Sequence, residues 1–266
     1  MSTIIENLIP YFKQSQCEYW IEEYGYLAEI KHPKKSEKFF VLWTLLGIQS
    51  ALVQRIFDDK IYTKKILKRC WFVVAEWEMF MPKGNSFFDV QQRKRFRKKA
   101  KKIGFPLIWK PIRQSLWHWV VLIESLKELQ EQVALFEQTP TLYMIEKYIR
   151  GREYRITYFD GEILFAYEKI WPGVAKNIAQ WSEMKFVTLS QEDAQWVHRI
   201  AKTFSHNPAV LRGWLDVIAD WNIRDGVILE INASPWLKGL QLLSEDKQKT
   251  FRSNMRKLIK KNNGIC

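Results

Sequence analysis

Two apolar runs, WLDVIA and VILEIN, each carry a single acid, Asp216 and Glu230. A carboxylate set among apolar neighbours is costly to bury without a partner, so this pair limits the possible folds more than any other feature. If the runs form a hairpin around a loop centred near Asn222 to Arg224, with Asp220 opposite Gly226, then Asp216 faces Glu230. Asn232, two residues further on, points to the same side because side chains alternate along a strand. Three oxygen-bearing side chains converge, and the two acids repel unless something cationic sits between them. Magnesium suits an all-oxygen set completed by water and phosphates, whereas zinc would draw on His or Cys. The bland alternative is a surface hairpin whose acids face water.

Two lysines point to the same chemistry. Lys110 lies in the apolar strand FPLIWKP, where an ammonium wants an anion. Lys60 follows two aspartates at the start of DDKIYTKKILKRC, a short helix with a capped beginning. Phosphate oxygens are natural partners for both if magnesium is nearby, since a triphosphate needs both kinds of neutralisation. Taken alone, Lys60 is equally an exposed surface lysine.

The rest of the chain alternates helices with largely antiparallel strands, which indicates an α+β fold. Residues 1–57 read as helical segments, including the apolar run Phe39 to Val53, which is too short for a membrane span and reads as a buried helix. Trp71 to Phe80 reads as a strand. Phe105 to Pro111 and Trp117 to Ile123 read as a strand pair, followed by a helix from Leu126 to Glu137 that Ser125 and Glu128 cap. Thr141 to Ile149 is a further strand. Asp160-Gly161 marks a hairpin between Tyr154 to Phe159 and Glu162 to Glu168. Ser190 opens a helix whose Ala194, Val197, Ala201 and Phe204 share a face.

The length of 266 residues suggests two lobes with a substantial core. Cys17, Cys70 and Cys266 form no C-x-x-C, which argues against a disulfide framework or zinc site. With no leader or membrane span visible, a cytoplasmic location is expected. The formal net charge is +13, and Arg93 to Lys102 (RKRFRKKAKK) holds eight basic residues and no acid. That run reads as a solvated helix face, or as a footprint for an acidic partner, carrier or nucleic acid.

In order and spacing, DDKIYTKKIL, FPLIWKP, MIEKYIRGREYRITYFDGE and the pair LDVIAD with LEINASP resemble the ATP-grasp superfamily. The resemblance is to the D-alanine D-alanine ligases and to the glutathione synthetase and ribosomal-protein glutamate ligase branch, from about Asp58 to Leu237. It implies two α+β lobes clasping ATP, preceded by a short, mainly helical N-terminal region. The implied division is 1–57 for that reduced region, 58–140 for the N-lobe and 141–266 for the C-lobe with the metal site. It also implies phosphate contacts from Lys60 and Lys110, and adenine contacts from Glu146, Lys147 and Ile149 of a hinge. Glu153 would hold the ribose hydroxyls, and Asp216, Glu230 and Asn232 would hold Mg2+. Arg155 matches an arginine near the reacting groups.

The departures are specific. A glycine-rich phosphate loop is replaced by IRQSLWHWV, Trp214 stands where D-alanine ligases have an arginine, and Trp236 replaces a glycine after Asn-x-Ser-Pro. Arg212, on the face of Asp216 by alternation, could supply the missing cation. The implied activity is an ATP-dependent carboxylate-amine ligase acting through an acyl phosphate on small-molecule or peptide substrates. The alternatives are a nucleotide-binding module that has lost turnover and a nucleic-acid binder using the basic run.

Overall fold

The capped helix foreseen after Asp58 is α3, Lys60–Arg69, and it joins the two halves of the structure. Asp59 is its N-cap and accepts from the backbone N–H groups of Ile61 and Tyr62 at 3.1 and 3.2 Å, satisfying donors that a helix start leaves open. The computed structural model describes residues 3–14, 16–25, 27–31, 33, 38–42, 51–85, 90–113, 119–159, 161–170, 183–204, 212–233, 245–246, 248–249 and 253.

The N-terminal region corrects the helical expectation for 1–57. After α1, Thr3–Gln14, come three antiparallel strands in the order β1 (Glu18–Ile21), β2 (Leu27–Lys31) and β3 (Lys38–Leu42). Residues 43–50 lie outside the described residues, and α2, Ala51–Phe57, follows. The run Phe39 to Val53 therefore opens as strand. The physical reason is period: Ala28 and Ile30 are buried between less buried neighbours, an alternation of two that charged side chains obscure in so short a run.

A four-stranded antiparallel sheet follows in the order β4 (Trp77–Phe80), β7 (Tyr143–Lys147), β5 (Leu107–Pro111) and β6 (Val121–Ile123). Of the run Trp71 to Phe80, only its end is a strand; Val74 makes an isolated bridge to Ile228. Helices α4 (Val90–Ile103) and α5 (Leu126–Leu135) cover one face, closing on Phe80, Phe96, Trp109, Phe136 and Tyr143. Trp109 is fully buried and stacks on Tyr143 at 5.2 Å and Phe136 at 5.9 Å. Strand β7 is hydrogen bonded between β4 and β5, so the boundary between the two sheets falls between Lys147 and Arg152 rather than at 140/141.

The second sheet has the order β10 (Glu183–Val187), β9 (Glu162–Ile170), β8 (Arg152–Phe159), β11 (Arg212–Ala219) and β12 (Val227–Asn232). Helix α6, Gln191–Phe204, packs Trp196, Val197, Ile200 and Ala201 against Ile156, Leu215, Val217 and Ile228. Its cap is Ser190, which accepts from Asp193 N at 3.1 Å. Because that apolar set occupies one face, alternation turns Glu153, Arg155 and Asp216 to the other. The architecture is α+β, as expected.

Candidate functional site

Asp216 and Glu230 are register partners across β11 and β12, as the hairpin predicts. The turn differs: a β-bulge beyond Asp216 makes Val217 face Ile228 and Ile218 face Val227. The ladder is thus one residue out of step near the loop but correct at the acids, since a bulge inserts one unpaired residue. Asn232 lies beside Glu230 and donates to Glu230 Oε1 at 2.8 Å.

Each acid has a cationic partner from the chain itself. Arg155 grips Asp216 with two parallel bonds of 2.7 and 2.6 Å, and its guanidinium lies 4.3 Å from the Trp214 ring centre. Lys169 Nζ lies 3.0 Å from Asp216 Oδ2 and also donates to Glu153. Lys60 Nζ lies 3.7 Å from Glu230 Oε2. The Trp214 position thus keeps a cation: the aromatic face holds one from a neighbouring strand.

The facing sheet carries a matching cluster. Lys110, on β5, donates to Glu146 on β7, and Lys64 Nζ lies 3.0 Å from Glu146 Oε2. Lys64 is fully buried, one helical turn beyond Lys60, and its ammonium lies 3.5 Å from Ile228 O of the second sheet. Residues four apart share a helix face, so α3 directs Lys60 at one acid and Lys64 at the other. Five cations, Lys60, Lys64, Lys110, Arg155 and Lys169, face four carboxylates, Glu146, Glu153, Asp216 and Glu230.

Burial and pairing compete at each group. Burial pushes the Lys60 and Lys64 ammonium groups down from the ordinary lysine range despite their carboxylate neighbours. At Lys110 burial acts the same way, but Glu146 and Glu230 outweigh it and the group is raised. Burial alone would raise Glu146 and Glu230. Lys110 and Lys64 overcome it at Glu146, and Lys60 and Lys110 at Glu230, holding both carboxyls below the usual range. Arg155 is raised by Asp216 against burial, and burial pushes the neighbouring Tyr167 hydroxyl up to about 12.

The expected residues fall into distinct groups. Lys60, Lys110, Glu146, Glu153, Arg155, Asp216, Glu230 and Asn232 belong to the linked clusters. The Lys147 ammonium points elsewhere, to Gly104 O and Phe105 O at 3.2 Å each. Ile149 is half-buried beyond the end of β7. Arg212 begins β11, but its side chain lies outside the described residues, as do 114–118 of the glycine-free loop and Trp236. Lys64 and Lys169 were not singled out from the sequence. For Lys64 the available signal was its place on one helical face with Lys60, Thr63 and Leu67. For Lys169 there was none short of the β8–β9 register.

Asp216, Glu230 and Asn232 offer only oxygen donors to a metal, which fits magnesium held by few protein ligands and completed by phosphates. Among the described residues, no group of three or more His, Cys, Asp or Glu side chains is arranged to hold a metal ion. A cation held by these three side chains would take its remaining oxygens from water or a bound ligand. The chemistry open to the cluster is an exchange of partners, in which phosphate oxygens take the lysines and a divalent cation takes the released acids. Among the described residues, no helix is long and apolar enough to cross a membrane.

No family model matches the sequence. A D-alanine–D-alanine ligase of Aquifex aeolicus is 26% identical over 196 residues, covering 70% of this chain and 61% of that protein. A probable alpha-L-glutamate ligase of Shewanella halifaxensis is 28% identical over 143 residues, covering 52% and 30%. The chain thus spans less than two thirds of the length of these curated relatives. Among solved structures, the D-alanine–D-alanine ligase of Bacillus anthracis complexed with ATP aligns with a TM-score of 0.58 at 21% identity, over 80% of this chain and 68% of that one. The ATP-grasp ligase PsnB complexed with a minimal precursor, Mg and ADP aligns with a TM-score of 0.55 at 14% identity, over 79% and 62%.

Proposed function

We propose that the chain is an ATP-dependent carboxylate-amine ligase of the ATP-grasp kind, the class of the relatives and fold neighbours it resembles. The observation that carries this reading is the double cluster on α3, where two lysines one turn apart meet an acid from each sheet, the buried Glu146 and the half-buried Glu230. A surplus of cations over carboxylates suits a polyanion, and the acids suit the magnesium that accompanies it. In this reading Lys60 and Lys110 hold phosphate oxygens. Glu146, Lys147 and Ile149 border the adenine, the lysine through its backbone, and Glu153 accepts from the ribose hydroxyls. Asp216, Glu230 and Asn232 hold Mg2+, which supplies charge neutralisation at the phosphates. Arg155 and Arg212 steady the charge that develops at the reacting groups.

The substrate carboxylate oxygen attacks the γ-phosphorus, the bond from that phosphorus to ADP breaks, and an acyl phosphate forms. The amine nitrogen then attacks the acyl carbon, the C–O bond breaks, inorganic phosphate leaves, and the nitrogen gives up a proton to solvent. The protein contributes positioning and electrostatics and needs no covalent nucleophile. The two curated relatives are named for D-alanine and for alpha-L-glutamate, which favours an amino acid as substrate.

The test is ADP and phosphate release with ATP, magnesium and candidate amino acids or peptides, with hydroxylamine present to trap the acyl phosphate as a hydroxamate. Hydroxamate that disappears in Lys110→Met supports ligation. Tight ATP binding with no hydroxamate on any carboxylate would replace it with the second reading, a nucleotide-binding module without turnover. The loop substitution IRQSLWHWV favours that reading, because side chains there keep the backbone from closing on phosphates.

A further inference from the structure

Helix α4 carries a charge pattern that its fold does not explain. Gln92, Phe96, Ala100 and Ile103 bury one face against the four-stranded sheet, with Gln92 donating to Met79 O. Arg93 is held by Glu137 at 2.8 and 2.7 Å and lies over the Phe80 ring. Lys94, Arg95, Arg97, Lys98, Lys101 and Lys102 are all exposed. Among the described residues no carboxylate pairs with Lys94, Arg97, Lys98, Lys101 or Lys102. Like charges four apart on a helix oppose one another by about 0.2–0.5 kcal/mol per pair, and Lys94/Lys98, Arg97/Lys101 and Lys98/Lys102 are such pairs. Helix stability alone would favour interspersed acids, and α4 has none.

The location gives the pattern a use. Trp109 and Tyr143 face α4, so Lys110 and Glu146 point to the opposite side of the sheet. The helix lies behind the clustered charges with one sheet between. Its N-terminal half sits beside Phe80, which pairs with Tyr143, which in turn pairs with Pro111. Lys60 N donates to the next residue, Ile112 O, at 3.2 Å. The helix therefore runs along the back of the sheet from the Lys60 end to the hinge, where Lys147 holds Gly104 O.

We infer that the exposed face of α4 is a docking track for an acidic peptide segment; the choice of a peptide rests on the ligase reading. Lys94, Lys98 and Lys102 repeat every four residues, about 6 Å along a helix. Alternate side chains of an extended chain repeat at about 6.6 Å, so acids at every second residue meet this row in step. A peptide also brings the carboxylates that a ligase consumes, which a polynucleotide lacks. The helix exposes no aromatic side chain on which bases would stack, since Phe96 is buried. Four of the six exposed cations are lysines, point charges without the planar fork that favours phosphate. Val90 is the one large apolar side chain exposed on α4, too little for insertion into a lipid surface.

The test uses the full chain and a variant combining Lys94→Gln, Arg97→Gln, Lys98→Gln and Lys102→Gln, with an unchanged urea midpoint as the folding control. A fluorescein-labelled oligoglutamate peptide and a mixed-sequence RNA are titrated by fluorescence anisotropy at low and physiological salt. The peptide should bind the wild type, lose affinity about tenfold or more in the variant, and weaken as salt rises. Binding of a non-hydrolysable ATP analogue should stay the same. Equal peptide binding by both proteins, or none by the wild type, overturns the track. RNA binding that is tighter than peptide binding and lost in the variant overturns the peptide in favour of nucleic acid. If the peptide binds as expected but yields no hydroxamate, docking stands and the ligase reading fails.

Discussion

Glu146 and Asp216 are both buried carboxylates held by two cations, yet the clamps differ. Glu146 sits between two lysines, Lys110 and Lys64, each a single ammonium on a flexible stem. Asp216 is held by the fork of Arg155, itself stacked on Trp214, with Lys169 in addition. A lysine can turn to a new anion at little geometric cost, whereas a bidentate and stacked arginine is committed to one orientation. The Glu146 clamp is therefore suited to exchange: Lys110 can leave for a phosphate while Lys64 keeps the acid neutralised. The Asp216 clamp holds strands β8 and β11 in register through the Arg155 fork, and in the proposed site Lys169 is the partner that would give way to magnesium at that carboxylate.

The contrast breaks most visibly at Asp216. Asp216→Ala strands Arg155 and leaves Lys169 with Glu153 alone, and urea unfolding should show a loss of about 3–5 kcal/mol, the usual cost of removing one partner from a buried pair. A loss under about 1 kcal/mol would mean that the fork is a surface contact and that the two clamps do not differ as described. Next comes Lys64→Met, with an expected loss of about 3 kcal/mol because Glu146 keeps only Lys110. Lys64→Met with Glu146→Gln should recover much of it, a coupling above about 1 kcal/mol in the double-mutant cycle. Strictly additive losses would show that Lys64 does not act through Glu146.

Acid titration sharpens the same comparison. Glu146 and Glu230 have depressed carboxyl values in the folded protein, so the unfolded chain takes up protons first as pH falls. Their contribution is complete above the ordinary carboxylate range near pH 4 and is lost as pH drops through the depressed values. The urea midpoint of Glu230→Gln should therefore depend less steeply on pH below about 4 than that of the wild type. An unchanged slope would place the acid response elsewhere. Smaller again is Trp214→Leu, which removes the ring beneath Arg155 and should cost about 0.5–2 kcal/mol. The smallest is Asp59→Asn, which keeps a capping oxygen but removes the charge facing Arg113 at 3.2 Å. Since the Arg113 side chain is half exposed, the change should stay below about 1 kcal/mol.

Much of the site was legible because it depends on local periodicity. A helix cap at Asp59, an apolar strand carrying Lys110 and a hairpin setting Asp216 against Glu230 each follow from spacing within one or two elements. The basic helix and the Ser125 and Ser190 caps follow likewise. The N-terminal strands were misread because four or five residues of alternation are too few to outweigh a helical pattern.

Other features required three dimensions. Counted back from Phe159 opposite Glu162 without interruption, Glu153 would face Glu168, acid against acid. A bulge between Thr157 and Tyr158 shifts the ladder by one, so that Lys169 faces Glu153 instead. Nothing local fixes that shift, because a one-residue slip exchanges the two faces of a strand and only packing selects between them. Lys64 follows the same rule. In a helix with Lys60, Lys65 and Lys68, which lysine is buried depends on where the second sheet lies. Residue order alone thus determined which charges occur and how they are spaced along each element. Tertiary packing decided which of them lost water and therefore had to find one another, because desolvation makes an unpaired charge too costly to keep.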